Sequence, residues 1–279
     1  MLFYRTTLGI GRGAGEYIEI LDLPFADLGA LLRAGPHTLW ESKIRELVPS
    51  KDVVLLPPVQ SNGRLFLNGA NYIEHAREGG MELPTVPLFL DISDAGLTGP
   101  YADIRLPGEA PHHVDYEVEL AVVMGRAGRN ISRAQVWQHV GALMVANDVS
   151  ARDVQLAGMK DGRLVDLDLV RRSKSFPSFK PMGPGALIVD RDFRLGNLEL
   201  STRVNGILRQ RANTSQMIHD IPSVIEHISR AFELFIGDII LTGTPAGVAL
   251  ATGDYLREGD VVEVSVEGIG TLRNRVVAG

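Results

Sequence analysis

The sequence contains no cysteine, and this absence removes several kinds of protein chemistry at once. Disulfide bonds, thiolate nucleophiles, cysteine-ligated zinc fingers and cysteine-ligated iron–sulfur clusters are all excluded. Any metal site in this chain therefore has to use oxygen or imidazole ligands.

Long apolar runs are missing as well, and no stretch approaches the length of a membrane span. The N-terminus lacks a basic region followed by an apolar stretch and a small-residue cleavage site. We therefore expect a cytoplasmic protein without a membrane partner. The net charge is −6, with acidic and basic residues interspersed, and this balance argues against a nucleic-acid partner.

What is present is an enzyme-sized chain of 279 residues with 45% hydrophobic content, which is ordinary for a globular protein. Residues 1–58 read as a small N-terminal α/β domain, with strands predicted at 17–20 and 53–56 and a helix at 25–32. Residues 59–279 are predicted to form the second, larger domain.

A glycine-rich segment, residues 9–15, invites comparison with a dinucleotide-binding loop. That loop has to open a helix so that the helix N-terminus can hold phosphate, and here the following residues are strand-like. We interpret the segment as a glycine-rich turn.

The most informative stretch runs from Val114 to Met124, where apolar residues alternate with acidic ones as in a strand. Glu117 and Glu119 then lie on one face, with their bases roughly 7 Å apart. Side chains so placed can converge on a hard divalent cation, which prefers carboxylate oxygen. The same pattern is also typical of the solvated face of an edge strand.

A third carboxylate follows the apolar run 142–146, which predicts a buried strand ending near Asp148. That position can display the Asp148 side chain to a site, although an aspartate after a strand is also a common turn former.

His75 and Glu78 are three residues apart, so on a helical turn they share a face and the carboxylate can orient the imidazole. This spacing predicts a water-activating pair, with an exposed helix-surface pair as the alternative. Gly79 and Gly80 follow and would suit a segment that closes over a site.

Taken together, these residues resemble the fumarylacetoacetate hydrolase family over roughly residues 65–276. The matching segments occur in the family's order. They are Asn71-Tyr72 with His75 and Glu78, then 115–120, 147–155, 174–176, 181–184, 204–206 and 237–247.

The resemblance implies an α+β fold: a β-rich catalytic domain with a rolled, mixed sheet, preceded by the small N-terminal α/β unit. It implies a homodimer that holds Mg²⁺ or Mn²⁺ through three carboxylates. Carried over residue by residue, the metal ligands are Glu117, Glu119 and Asp148.

The resemblance also implies catalytic roles for His75 and Glu78, as a base dyad on a mobile lid, and for Lys174, which would face the substrate. Three further residues are expected to bind substrate; they are Arg152, Gln155 and Thr244.

Two departures from the family lie near the expected substrate. Many members carry a lysine followed by proline where this chain has Asp91-Ile92, and Pro177 stands where aspartate is frequent.

The activity implied is hydrolysis of a carbon–carbon bond in a small acylpyruvate or other β-diketo acid, in aromatic or sugar-acid catabolism. The 2-keto acid end would chelate the metal, and His75 would activate the attacking water. Decarboxylation of a 2-keto diacid, and isomerisation or hydration of an unsaturated keto acid, remain open on the same scaffold. A non-catalytic protein that binds metal and keto acid is a third alternative.

Overall fold

The computed structural model describes residues 1–35, 37–60, 64–92, 96–160, 163–190, 193 and 195–279, with the backbone alone described at residues 14 and 163. Strands dominate this part of the chain and the helices are short, so the predicted α+β class is confirmed. None of the helices described is long and apolar enough to cross a bilayer.

The strands described are, in chain order, β1 (Leu2–Thr6), β2 (Gly9–Ala14), β3 (Tyr17–Leu21), β4 (Ile44–Pro49), β5 (Leu55–Leu56), β6 (Leu65–Gly69), β7 (Leu88–Ile92), β8 (Leu97–Thr98), β9 (Ile104–Leu106), β10 (Val114–Asp115), β11 (Val118–Met124), β12 (Val140–Asn147), β13 (Ser150–Ala151), β14 (Met159–Lys160), β15 (Arg163–Leu164), β16 (Lys180–Ile188), β17 (Glu199–Val204), β18 (Ile207–Asn213), β19 (Ile239–Leu241), β20 (Val261–Val266) and β21 (Gly270–Ala278).

The helices described are α1 (Leu28–Ala34), α2 (His37–Glu41), α3 (Ile73–Glu78), α4 (Arg152–Ala157), α5 (Leu167–Ser173), α6 (Ile221–Ala231) and α7 (Ala249–Thr252). Short 3₁₀ turns cover Ser50–Asp52, Arg133–Gln138 and Thr214–Gln216.

Among the described residues, the larger sheet contains twelve strands, ordered β4-β3-β2-β1-β16-β12-β11-β19-β6-β7, with β5 on β1 and β8 on β16. β11 lies near the middle, between β12 and β19, and every one of its residues is buried. Val118 and Leu120 belong to one core cluster, whereas Ala121 belongs to another. Both faces of β11 are therefore covered, so its acidic residue, Glu119, does not lie on a solvated edge.

The second sheet has five described strands in the order β18-β17-β20-β21-β9. The predicted hairpin at Asn205-Gly206 joins β17 to β18, and both residues have positive φ, at 51° and 78°. Val262 and Val264 of β20 share a core cluster with Leu120 of the larger sheet. The main core therefore includes apolar residues from both sheets.

The first 58 residues continue the larger sheet, because β1 pairs antiparallel with β16. A domain boundary at residue 58 stays a prediction. The expected glycine-rich turn is wrong: Gly9–Ala14 is strand β2, paired on both edges. Gly11 has no room for a side chain because a Cβ there would collide with Ile18, so the glycine serves close packing between strands.

Two further segments, one polar and one rich in proline, contain regular structure. The polar region 158–172 contains β14, β15 and most of α5. The proline-rich segment 173–184 runs into β16, a central strand. Prolines are tolerated in β16 because its pairing with β12 is irregular: the register shifts between the Leu143–Leu187 and Val145–Gly183 pairs, next to Pro184.

Candidate metal centre and active site

Three buried carboxylates lie close together where β11 begins and β12 ends. Glu117 precedes β11, Glu119 lies in it, and Asp148 follows β12. The antiparallel pair aligns Val118 with Asn147, and Asp148 N donates to Glu117 O at 2.9 Å. One oxygen from each of the three side chains lies within 4.8 Å of the other two. The structure thus brings together the three predicted ligands.

The chemistry of this cluster fits a divalent cation. All three side chains are buried, and burial together with the Asp148 and Glu117 charges holds the pKa of Glu119 well above its ordinary value. Asp148 Oδ1 has no aligned hydrogen-bond donor among the described residues, although Lys180 Nζ forms an ion pair with it at 2.7 Å. An all-oxygen site with excess negative charge suits Mg²⁺ or Mn²⁺ and does not by itself distinguish them.

Lys174 lies inside the carboxylate cluster. Helix α5 ends at Ser173, and its C-cap residue Lys174 directs Nζ to within 2.6 Å of Glu117 Oε2 and 2.8 Å of Asp148 Oδ2. Burial opposes the lysine charge, but the Asp148 and Glu117 carboxylates outweigh it and raise the pKa of Lys174. Lys174 is therefore a fixed cation at the centre.

Arg152 fixes Glu117 from the other side. Its guanidinium donates from NH2 to Glu117 Oε1 at 2.5 Å and from Nε to Asp115 Oδ2 at 2.8 Å. Burial raises the pKa of Glu117, but Lys174, Arg152 and His75 together lower it well below its ordinary value. Glu117 is thus ionised and oriented before any ligand arrives.

The described contacts of Arg152 also include Gln155, whose Oε1 accepts from NH1 at 2.6 Å. Substrate binding by Arg152 and Gln155 stays a prediction. In the structure, Gln155 and Asp115 both contact Arg152, and Arg152 in turn contacts Glu117.

Asp115 was not included in the predicted site. Its side chain accepts from Ala249 N at 2.6 Å and Leu250 N at 3.0 Å, so it caps α7 while pairing with Arg152. The signal for this role was its place in the acidic stretch, two residues before Glu117. The alternation alone could not show that its partners lie on α4 and α7.

His75 and Glu78 form the predicted pair on α3, with Nδ1 2.8 Å from Oε1. Glu78 also accepts from the Gly247 N–H, with Oε2 2.9 Å from the nitrogen. The loop that contains Gly247 also binds Glu119 through the Gly243 N–H. The pair and the carboxylate cluster are therefore connected through residues 243–247.

The loop 242–247 closes the remaining side. Gly243 N donates to Glu119 Oε2, and Asn71 Nδ2 donates to Thr242 O at 2.7 Å. Thr244, expected to contact substrate, is buried, and its Oγ1 accepts from Gln210 Nε2 at 2.9 Å. Its substrate contact stays a prediction.

Gln210 was missed by the sequence analysis, although it connects three parts of the site. Its Oε1 accepts from Val118 N at 3.1 Å and from Thr202 Oγ1 at 2.7 Å, while Nε2 donates to Pro245 O at 2.8 Å. It ties β18 to β11 and to the 242–247 loop. A single glutamine among the polar residues of a predicted hairpin gives no indication in the sequence that it is buried or contacts the site.

The unusual Asp91 has a local partner. Arg171 NH2 lies 2.7 Å from Asp91 Oδ1, and Arg171 Nε donates to Asp91 O at 3.2 Å. The pair joins β7 to α5, the helix that ends next to Lys174.

Comparison with known proteins supports the resemblance. Residues 64–277 match the fumarylacetoacetate (FAA) hydrolase C-terminal family. Oxaloacetate tautomerase FAHD2B, mitochondrial, from Bos taurus is 37% identical over 262 residues, covering 93% of this chain and 79% of that protein. The crystal structure of 2-hydroxyhepta-2,4-diene-1,7-dioate isomerase from Mycobacterium marinum has a TM-score of 0.75 at 33% identity, covering 100% of this chain and 98% of that one.

Maleylpyruvate hydrolase from Sphingobium sp. SYK-6, solved with a manganese(II) ion and pyruvate, has a TM-score of 0.78 at 25% identity, with 100% of both chains covered. The chain belongs to the fumarylacetoacetate hydrolase family. It is thus a member of an enzyme family. Because the relatives include a tautomerase, an isomerase and a hydrolase, membership leaves the reaction class open.

Proposed function

We propose that this chain is a divalent-cation-dependent enzyme that moves a proton next to the keto group of a small 2-keto acid. The observation that carries the proposal is a three-carboxylate centre connected through the 242–247 loop to a carboxylate-oriented histidine. A centre of that kind binds the keto acid, and the histidine supplies the group that accepts and returns a proton.

The proposed metal ligands are Glu117, Glu119 and Asp148. A divalent cation held there supplies Lewis-acid polarisation of the keto oxygen. Lys174, fixed by two of the carboxylates, adds a cation that stabilises negative charge developing on substrate oxygen.

His75 is the proposed base. Because Glu78 is a carboxylate acceptor, His75 Nδ1 carries the proton in that 2.8 Å contact and Nε2 is left free to accept one from substrate carbon. The same nitrogen then returns the proton at a different atom, which completes a tautomerisation without loss of mass. Arg152 and Gln155 are proposed near the polar groups of the substrate, together with Thr244.

The named relatives support proton transfer as the reaction. An oxaloacetate tautomerase is 37% identical, and an isomerase of an unsaturated keto diacid is 33% identical. Both names denote acids with two carboxylates. We therefore propose a dicarboxylic 2-keto acid, with oxaloacetate as the first compound to test.

Hydrolysis of an acylpyruvate, which the sequence analysis favoured, is the second candidate. The His75–Glu78 pair supports it because the same base can take a proton from water instead of carbon. The similarity to a maleylpyruvate hydrolase solved with pyruvate also supports it.

The test is turnover of oxaloacetate, acylpyruvates and unsaturated keto diacids by metal-stripped protein, with and without Mg²⁺ or Mn²⁺. Metal-dependent loss of the enol absorbance at constant mass is expected. Free metal without protein is a necessary control, and Glu119→Gln is the matched variant because it keeps the shape of a ligand and removes its charge.

Pyruvate plus a second acid would move the assignment to the hydrolase, and CO₂ release to a decarboxylase. Binding without turnover would support the non-catalytic alternative. A cytoplasmic homodimer is part of the same proposal, and sedimentation of the purified chain measures its assembly.

A further inference from the structure

Lys180 is a fully buried lysine that the proposed reaction does not use. It is the first residue of β16 and has 0% exposure. Its Nζ lies 2.7 Å from Asp148 Oδ1, 3.3 Å from Val149 O and 3.2 Å from Phe179 O, and it also donates to Lys174 O. A buried lysine needs such a set of partners to be tolerated.

The described neighbours of this nitrogen are all hydrogen-bond acceptors. All four neighbours are oxygens, three of them carbonyls that only accept hydrogen bonds. Burial lowers the pKa of Lys180, and the Asp148 carboxylate opposes that effect.

Its contacts join two residues of the site. Lys180 Nζ contacts Oδ1 of Asp148, while Lys174 Nζ contacts Oδ2 of the same carboxylate at 2.8 Å. Lys180 also binds the backbone carbonyl of Lys174 itself. The Asp148 side chain is thus held at both oxygens, and Lys174 is held at both its backbone and its side chain.

We infer that Lys180 is a positioning residue that fixes Asp148 and Lys174 relative to each other and thereby sets the affinity of the centre for a divalent cation. The inference rests on the proposed metal centre. Outer partners of metal ligands hold those ligands in the binding geometry, and their loss typically costs 10–100-fold in metal affinity or activity.

The contacts of the basic side chains around the centre show what Lys180 contributes. Four buried carboxylates, Asp115, Glu117, Glu119 and Asp148, are accompanied by three buried cations, Arg152, Lys174 and Lys180. Arg152 and Lys174 both contact Glu117, and of the three cations Lys180 alone contacts Asp148 Oδ1. Without it, that buried oxygen would lose its ion pair.

The experiment compares Mn²⁺ binding by metal-stripped wild type and Lys180→Met, measured by calorimetry and by the electron paramagnetic resonance signal of free Mn²⁺. We expect the Kd of the variant to rise by about 10–100-fold. Melting temperature is recorded alongside, because a purely structural lysine would change stability and leave Kd unchanged.

Arg64→Met is the matched control. Arg64 NH2 lies 2.8 Å from the buried Asp238 Oδ2, just before β6 and at the opposite end of that strand from Asn71. Its loss should lower the melting temperature and leave Mn²⁺ affinity as in wild type. If wild type binds Mn²⁺ and Lys180→Met binds it equally well or more tightly, the inference about Lys180 is overturned and the proposed metal centre is not.

Failure of wild type to bind Mn²⁺ would overturn the proposed metal centre and this inference with it. If Lys180→Met does not fold, wild type labelled with ¹⁵N-lysine provides the answer, since the chain has five lysines and a simple side-chain spectrum. Saturating Mg²⁺ should shift the side-chain nitrogen signal of Lys180, and an unmoved signal would overturn the inference.

Discussion

The carboxylate of Glu78 accepts a hydrogen bond from the backbone N–H of Gly247, with 2.9 Å between Oε2 and the nitrogen. The same carboxylate holds His75 Nδ1 at 2.8 Å through Oε1. One side chain therefore orients the proposed base and fastens α3 to the 242–247 loop, whose Gly243 N–H binds Glu119. The position of the 242–247 loop and the orientation of His75 are therefore linked through one carboxylate.

We expect Glu78→Gln to lower kcat by about 10²–10⁴-fold, the usual contribution of an oriented acid–base group. The amide keeps the size of the side chain, but it cannot stabilise a positively charged imidazole. Mn²⁺ affinity should stay as in wild type because Glu78 is not one of the three clustered carboxylates. Steady-state kinetics and Mn²⁺ titration measure the two effects.

The control for this variant is Glu74→Gln on the same helix. Glu74 pairs with Arg77 in an exposed contact, and such pairs contribute little. Equal activity of Glu78→Gln and Glu74→Gln would show that His75 does not depend on Glu78.

The sequence could predict the carboxylate cluster because Glu119 lies in a strongly patterned strand and Glu117 and Asp148 each lie next to one. The apolar residues of 118–124 and 142–146 identified β11 and β12, and antiparallel pairing then brings Glu119 and Asp148 together. The alternation was misleading in one respect. It predicted a single strand over 114–124, whereas Tyr116 and Glu117 separate β10 from β11. The strand is interrupted here because the Glu117 N–H donates to the Asn147 side chain, with 3.0 Å between N and Oδ1, instead of to a neighbouring strand.

The residues that support the three carboxylates could not be predicted in the same way. Lys180 lies in a proline-rich segment that reads as a loop, and Gln210 lies in a hairpin with polar neighbours. Both are buried because segments distant in sequence pack over them. Lys180 contacts Val149, which is 31 residues away in the chain, and Gln210 contacts Val118, which is 92 residues away. Periodicity reports which face of an element is apolar, and it carries no information about such tertiary partners.

Glu119→Gln should abolish tight Mn²⁺ binding and make the metal-free protein more stable at neutral pH. Burial and the Asp148 and Glu117 charges raise the pKa of Glu119, so its ionised form is disfavoured in the folded state. A gain of about 1 kcal/mol would raise the melting temperature by roughly 2–4 °C in a large domain. Thermal unfolding of both metal-stripped proteins measures this.

The pH dependence of that difference has a definite sign. The folded protein binds the Glu119 proton more tightly than the unfolded chain does, where the ordinary pKa is 4.5. The free energy of unfolding therefore falls as pH rises above about 4.5 through the raised pKa. The wild-type curve should drop relative to Glu119→Gln over this range, and saturating Mn²⁺ should remove the drop. Parallel curves would contradict the assignment.

Asp115→Asn should destabilise the fold by about 3–5 kcal/mol, because it removes one charge from a buried pair and leaves Arg152 undercompensated. Asp115 is fully buried and accepts from Ala249 and Leu250 while pairing with Arg152 at 2.8 Å. Denaturant unfolding gives the magnitude, and Mn²⁺ titration should show weaker binding because Arg152 also orients Glu117.

Asp220→Asn is the comparison for this prediction, since Asp220 also caps a helix and pairs with an arginine. It accepts from Ser223 N at 3.0 Å and from Arg133 NH1 at 2.8 Å, in a half-exposed setting. A surface pair of this kind contributes about 0.2–1 kcal/mol. If both variants lose a similar free energy of unfolding, burial does not make the Asp115–Arg152 pair more stabilising than the surface pair.

Gly243→Ala should be far more damaging than Gly253→Ala, although both glycines have positive φ, at 99° and 81°. A Cβ at residue 253 meets nothing within 4 Å, so the cost there is backbone strain of about 1–3 kcal/mol. A Cβ at residue 243 would lie 2.7 Å from Asn71 Cβ and 3.0 Å from Asn68 O, so the loop has to move. Because the Gly243 N–H binds Glu119, that movement should also weaken Mn²⁺ binding. Melting temperature and Mn²⁺ Kd measure both effects, and an equal melting temperature and Kd for the two variants would show that the 242–247 loop does not position Glu119.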